Sequence, residues 1–189
     1  MGEEIGDKVF VGYINQIGAG INPETGEVIC TEKLRFVLTY YYENPQPLVV
    51  LGFFKGPLYA GLDIFTGLGI RCGIITGDQD DKEVDDTITK FQTNKIDILF
   101  GQTDKIKMGH DFSRASVTFF ISNSFSSGTR GQAEMRTTRM DKATPSEIID
   151  ICTDSTLDEI IVDSLFKKEA LSSDILSNHV NPKEWNYGE

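Results

Sequence analysis

The sequence predicts an α/β domain: a single parallel sheet with helices on both faces. Three observations predict it. Apolar runs of strand length recur at 48–54, 71–76, 96–100 and 117–121. Stretches with apolar residues at helical spacing separate the first three of these runs. The first run, Leu48-Val-Val-Leu-Gly-Phe-Phe54, is apolar at nearly every position, as in a strand buried on both faces. Strands alternating with helices of this length pack as a parallel sheet.

Each element has its own signal. Residues 9–21 read as a helix broken at Gly18-Ala-Gly20, and Asn22-Pro-Glu-Thr-Gly26 is a turn cluster. Leu34, Val37, Leu38 and Tyr41 place a helix over 33–42, which Asn44-Pro-Gln-Pro47 ends. A helix over 58–65 follows the first strand, although Gly56-Pro57 and Gly61 weaken its pattern. The run 71–76 ends at Gly77-Asp78, and Val84, Ile88 and Phe91 share one face of a helix over 81–91. Two readings compete at 144–155. Thr144-Pro-Ser-Glu147 has a capping pattern, but the short space and Ile148, Ile149 and Ile151 favour a strand. Thr156-Leu-Asp-Glu159 is a cleaner capping box and opens an amphipathic helix to about Leu171. The chain divides into lead-in helices over 1–47, one domain over 48–172 and a polar tail over 173–189.

Composition narrows the function. The 189 residues are 39% hydrophobic and 25% charged, as in a soluble globular domain. No apolar run approaches the roughly 20 residues that span a bilayer, and the acidic Met1–Asp7 segment does not read as a signal peptide. Cys30, Cys72 and Cys152 lie far apart and form no C-x2-C, which predicts reduced thiols and a cytoplasmic protein without membrane partners. A net charge of −11 is the wrong sign for a free-standing nucleic-acid binder. Basic residues lining one cleft remain compatible with that charge.

Two segments carry the chemistry. The first is Thr103-Asp104-Lys105-Ile106-Lys107-Met108-Gly109-His110-Asp111, after the third strand. The second is Gln132-Ala-Glu-Met-Arg136-Thr-Thr-Arg139, after the fourth. The first lies at the carboxyl end of a parallel strand, where open α/β sheets bind ligands. In the second, Arg136 and Arg139 are three apart and share a face on one helix, with Gln132 one turn back. No G-x4-G-K-[ST] loop occurs in the chain.

These segments resemble the last two motifs of the second RecA-like domain of a superfamily 2 helicase or translocase. The order of elements from about 48 to 171 resembles the Swi/Snf-like branch, in the compact form found in phages and mobile elements. Tyr13-Ile-Asn-Gln-Ile-Gly-Ala-Gly20 looks like the helix that enters that lobe. The resemblance implies a single RecA-like domain that completes an ATP site with a first lobe, which carries the phosphate loop and most of the hold on ATP and Mg. It implies Arg139 as arginine finger, Arg136 as the residue reaching the phosphates and Gln132 as their orienter. A guanidinium suits that role because phosphoryl transfer spreads negative charge over the transferred group. It implies nucleotide contacts from Gly109 and Asp111. Nucleic-acid contacts fall to Thr103, Asp104, Lys105, Lys107 and Gly77, the partner being DNA, with RNA the alternative.

Two departures stand out. Val84 occupies a position where the family commonly has arginine, and Met140-Asp141-Lys142 replaces the usual apolar-Gly-Gln. Asp158-Glu159 opens a helix, so it reads as structural and not as a magnesium motif. His110 and His179 have no Cys or acid at ligand spacing and also read as structural or exposed. Two other readings are a non-catalytic regulatory module that binds a nucleotide or partner, and an unrelated flavodoxin-like receiver. A receiver wants an acid pair after its first strand and a lone Asp after its third, and neither pattern is convincing.

Overall fold

The computed structural model describes residues 11–106, 110–138 and 146–177, with side chains as far as Lys168. Helix α1 (11–18) and helix α2 (Glu32–Glu43) precede strand β1 (Leu48–Gly52). Then come α3 (Lys55–Gly67), β2 (Cys72–Ile75), α4 (Asp81–Gln92), β3 (Ile98–Gln102) and a 3-10 turn (Thr103–Lys105). Strand β4 (Val117–Phe120), α5 (Ser127–Thr137), β5 (Glu147–Asp150) and α6 (Leu157–Ser177) complete the order.

The five strands form one sheet in the order β2-β3-β1-β4-β5, and every neighbouring pair is parallel. In β1, Leu48 and Val50 point to one face with Ile98, Phe100, Val117 and Phe119, against Leu34, Val37, Leu58 and Phe65 of α2 and α3. Val49 and Leu51 point to the other face with Leu99 and Phe120, against Val84, Ile88 and Phe91 of α4 and Ala133 of α5. This two-sided burial explains why β1 is apolar without alternation. The order puts β1 and β4 side by side, although the chain leaves them toward opposite edges of the sheet. Such a switch point, at the carboxyl ends of β1 and β4, is where open α/β sheets commonly bind ligands.

The fold is the one the sequence predicts, with shifted boundaries. Helix α3 begins at Lys55, three residues before its predicted start, because Pro57 lies in the first turn, where amide hydrogens have no helical partner in any case. Strand β3 runs two residues beyond the predicted 96–100, since Gly101 and Gln102 pair with Leu51 and Gly52. Helix α6 passes Leu171 and reaches Ser177. At 147–150 the strand prevails over the helix; Ser146 Oγ lies at its start within donating distance of the carbonyls of Thr137 (2.8 Å) and Ala115 (3.1 Å). Helix α4 has a full capping box, Asp80 with Glu83, which anchors its predicted start.

Two glycines are required by geometry. Gly20 has φ +79°, and a Cβ there would meet the Cys30 carbonyl oxygen at 2.4 Å. A Cβ on Gly61 would lie 2.5 Å from Cε1 of the fully buried Phe100. Alanine at Gly61 gains about 1 kcal/mol in helix propensity, but overpacking a rigid aromatic costs about 1–3 kcal/mol. Gly61→Ala is therefore expected to lower the urea midpoint. A raised midpoint would show that α3 can lift from β3 at little cost.

The amino-terminal edge of the sheet is tied by two arginines. Arg71 forms a two-point ion pair with Asp97 and donates to the Asn94 carbonyl. Arg114 donates to the carbonyls of Phe91 and Ile96 and lies 5.1 Å from the centre of the Phe91 ring. No helix among the described residues is long and apolar enough to cross a membrane.

Candidate functional site

The loops that leave β1, β2, β3 and β4 meet at the carboxyl edge of the sheet, and hydrogen bonds join them. The Gly77 amide donates to Gln102 Oε1 (3.2 Å), Gln102 Nε2 donates to the Phe53 carbonyl (3.5 Å) and the Phe53 amide donates to Ser122 Oγ (2.9 Å). Gln102 is the last residue of β3, two positions past the apolar run 96–100, and that position is its one signal in the sequence.

After β2, Asp78 accepts from Lys55 Nζ (2.5 Å) and Tyr59 (3.0 Å). The Lys55 hydrogen bond, then that of Tyr59, holds the Asp78 carboxyl below its ordinary pKa. The ideal Cβ position of Gly77 lies 2.8 Å from Lys105 Cε, 3.5 Å from Lys105 Nζ and 3.7 Å from Lys55 Nζ. A missing side chain is what lets two cations close over this backbone. The structure thus brings Gly77 and Lys105 together and adds Lys55, which no motif in the sequence marks. A cavity of about 120 Å³ beside them is lined by Thr76, Gln79, Asp81 and His110 among others.

After β3, Thr103 is buried in the 3-10 turn, and its hydroxyl has no partner among the described residues. Asp104 is exposed. Asp111 is half-buried; its Oδ1 accepts from the Ser113 amide (2.9 Å) and its carbonyl accepts from Gln92 (3.2 Å). His110 packs edge-on against Phe112. Lys107 and Gly109 lie outside the described residues.

The arginine segment forms α5, which Ser126 caps by accepting from the Thr129 amide. Arg130, Ala133 and Thr137 form its buried stripe, while Gln132 is exposed and Arg136 half-buried one turn further on. The Arg136 Nε is buried without a partner among the described residues. The helix stops at Thr137, and Thr138 is already extended, with φ −107° and ψ 113°. Arg139 lies outside the described residues, so the shared helical face predicted for Arg136 and Arg139 is described only for Gln132 and Arg136. The two motifs do touch: the Phe112 amide, next to Asp111, donates to the Arg136 carbonyl at 2.9 Å. Helix α5 also contacts the turn Thr103–Lys105.

Arg130 belongs to no motif in the sequence. It donates to Asp150 through Nη1 (2.6 Å) and Nη2 (2.8 Å), and to Asn123 Oδ1 (3.1 Å) and Glu134 (2.5 Å). Its guanidinium lies 3.6 Å from the centre of the Phe120 ring. Burial works to lower its pKa, but the hydrogen bond and charge of Asp150, joined by Glu134, raise it. Asp158 is structural, as the sequence predicts. At 5% exposure it pairs with Lys33 Nζ (2.5 Å) and accepts from the Thr153 amide (3.0 Å). His179, Met140, Asp141, Lys142 and Trp185 lie outside the described residues.

The five-stranded parallel sheet with helices on both faces and these loops gathered at its carboxyl edge has the RecA-like fold. The family described as the helicase conserved C-terminal domain matches residues 32–141, and the chain belongs to that family. Among solved structures, it is similar to the C-terminal part of the Fun30 ATPase domain. The TM-score is 0.63 at 18% identity, covering 71% of this chain and 44% of that one. It is also similar to the Pyrococcus furiosus Hef helicase domain, with a TM-score of 0.55 at 15% identity, covering 70% of this chain and 27% of that one. The chain thus spans less than half the length of either structure, and at these identities the likeness is one of fold. A search of the curated proteins gave no match.

Proposed function

We propose that this chain is the second motor lobe of an ATP-dependent DNA helicase or translocase of the Swi/Snf-like kind, and that a first lobe completes its ATP site. The observation that carries this reading is the contact between the two motifs, Phe112 amide to Arg136 carbonyl, at the carboxyl edge of a parallel sheet. In this reading Arg139 is the arginine finger, Arg136 reaches the phosphates and Gln132 orients them. Gly109 admits the nucleotide close to the backbone, and Asp111 accepts from the ribose. Thr103, Asp104, Lys105, Lys107 and Gly77 contact the nucleic-acid backbone.

The side chains at the site fit an anionic ligand. A buried arginine donor with no partner among the described residues costs free energy, and a phosphate oxygen at Arg136 Nε would remove that cost. In this reading the first lobe holds most of the ATP and its Mg. When bound, ATP supplies the phosphoryl group that is transferred. This lobe's part is to place fixed positive charge where negative charge develops. We assign 1–47 to the lead-in helices, 48–172 to the lobe and 173–189 to the tail.

The net charge of −11 favours a second reading, a regulatory module without turnover. One experiment separates the two: ATP hydrolysis with and without DNA, by this chain alone and joined to the polypeptide encoded just upstream. DNA-stimulated turnover by the joined protein alone supports the motor. A joined protein that binds ATP and DNA without turnover supports the module.

A further inference from the structure

We propose that Arg130 is a positioning residue that clamps the arginine helix α5 to β4 and β5, and that Asn123 extends this clamp to the lead-in helix α1. The inference rests on the motor reading for its consequence and on the geometry for its existence.

Four N–H groups of one guanidinium are engaged at once, two by Asp150 of β5, one by Asn123 of the loop after β4 and one by Glu134 of α5 itself. The face of the same plane stacks on Phe120 of β4. Position along the chain and rotation about the helix axis are therefore both fixed, in a way that a lysine cannot reproduce. Arg130 belongs to the inward stripe of α5, with Ala133 and Thr137, while Gln132 and Arg136 occupy a neighbouring stripe. Whatever fixes the first stripe aims the second.

Asn123 then carries the clamp outward. Its side chain accepts from Arg130 and donates to Asp150 Oδ1 (2.8 Å), while its carbonyl accepts from Asn15 Nδ2 of α1 (3.3 Å). Asn15, Asn123 and Arg130 are each 8% exposed, so little water competes for these bonds. The segment after β5 returns to α1 as well, through Thr153 Oγ1 donating to the Gly18 carbonyl (3.1 Å). Helix α1 and the arginine helix are thus joined through one buried polar network.

The test uses Arg130→Lys and Asp150→Asn, with Arg114→Lys as control. Arg114 also stacks on a phenylalanine, but at the opposite edge of the sheet. In the whole chain alone, amide hydrogen exchange is expected to speed up over Ala133–Thr137 in both clamp variants and to stay unchanged in α4. In the joined motor, kcat is expected to fall about 10- to 100-fold with KM for ATP nearly unchanged, the mark of misplaced groups that act in the transition state. Arg114→Lys leaves kcat unchanged. Exchange that is unaltered in α5, or raised equally throughout the sheet, overturns the clamp. So does an unaltered kcat in Arg130→Lys while Arg136→Ala lowers turnover. If Arg136→Ala leaves turnover intact, the motor reading fails instead, and exchange in the lone chain still decides the clamp.

Discussion

Replacing Arg139 by alanine in the joined protein is expected to lower kcat for ATP about 10³-fold or more, with KM for ATP changed only a few-fold. An arginine finger acts on charge that appears on the transferred group in the transition state, and such groups are worth about 10³–10⁵ in rate. Binding of the ground-state nucleotide is held mainly by the first lobe in this account, so affinity changes little. Arg139→Lys should recover little, because an ammonium presents no planar fork. Arg136→Ala is expected to behave in the same direction with a smaller loss, since its carbonyl bond to Phe112 survives the substitution. Steady-state kinetics with saturating DNA check both. A variant at Arg139 that keeps wild-type kcat would remove that residue from the reaction.

The second large effect is on folding. Asp158→Ala is expected to destabilise the lobe by about 3–5 kcal/mol, the usual cost of breaking a buried ion pair by removing one partner. Lys33, 13% exposed, would keep only the Ile121 carbonyl (2.9 Å), and the Thr153 amide would lose its acceptor. That pair joins α2, the end of β4 and the start of α6, three elements distant in sequence. The double variant Lys33→Met with Asp158→Ala should be less damaged than the sum of the two single ones, because it leaves no unpaired buried charge. Urea denaturation of the four proteins measures the coupling. Additive losses would show that the two charges do not depend on each other.

What the sequence disclosed follows the range of the interactions. Strands β1 and β4 and helix α4 were legible because their signals are local: a mostly apolar run of strand length, or three apolar residues on one helical face. The two motifs were legible as patterns, and both lie at the same end of the sheet because β3 and β4 each pair parallel to β1. Pairs between distant residues were not legible. Lys33 and Asp158 are 125 residues apart, and the sequence marks Asp158 only as a residue at a helix start, with no sign that its carboxylate pairs with a lysine of α2. Arg130 sits in the polar run Ser126-Ser-Gly-Thr-Arg-Gly131, which gives no sign of a buried arginine. Its partners Asp150 and Asn123 become neighbours only once β4 and β5 pair. The boundary of α5 was equally hidden, because nothing in Arg136-Thr-Thr-Arg139 marks a helix end.

The most direct measurement is the trapping of ADP with fluoroaluminate, a mimic of the transferring phosphoryl group, by the joined protein in the presence of DNA. Transition-state mimics bind more tightly than substrates wherever catalytic charge is preplaced. The account predicts stable trapping by the wild type and its loss in Arg136→Ala and Arg139→Ala, with ADP affinity kept in both. Trapping that is equally stable in the two variants would contradict the claim that this lobe supplies the charge which completes the ATP site.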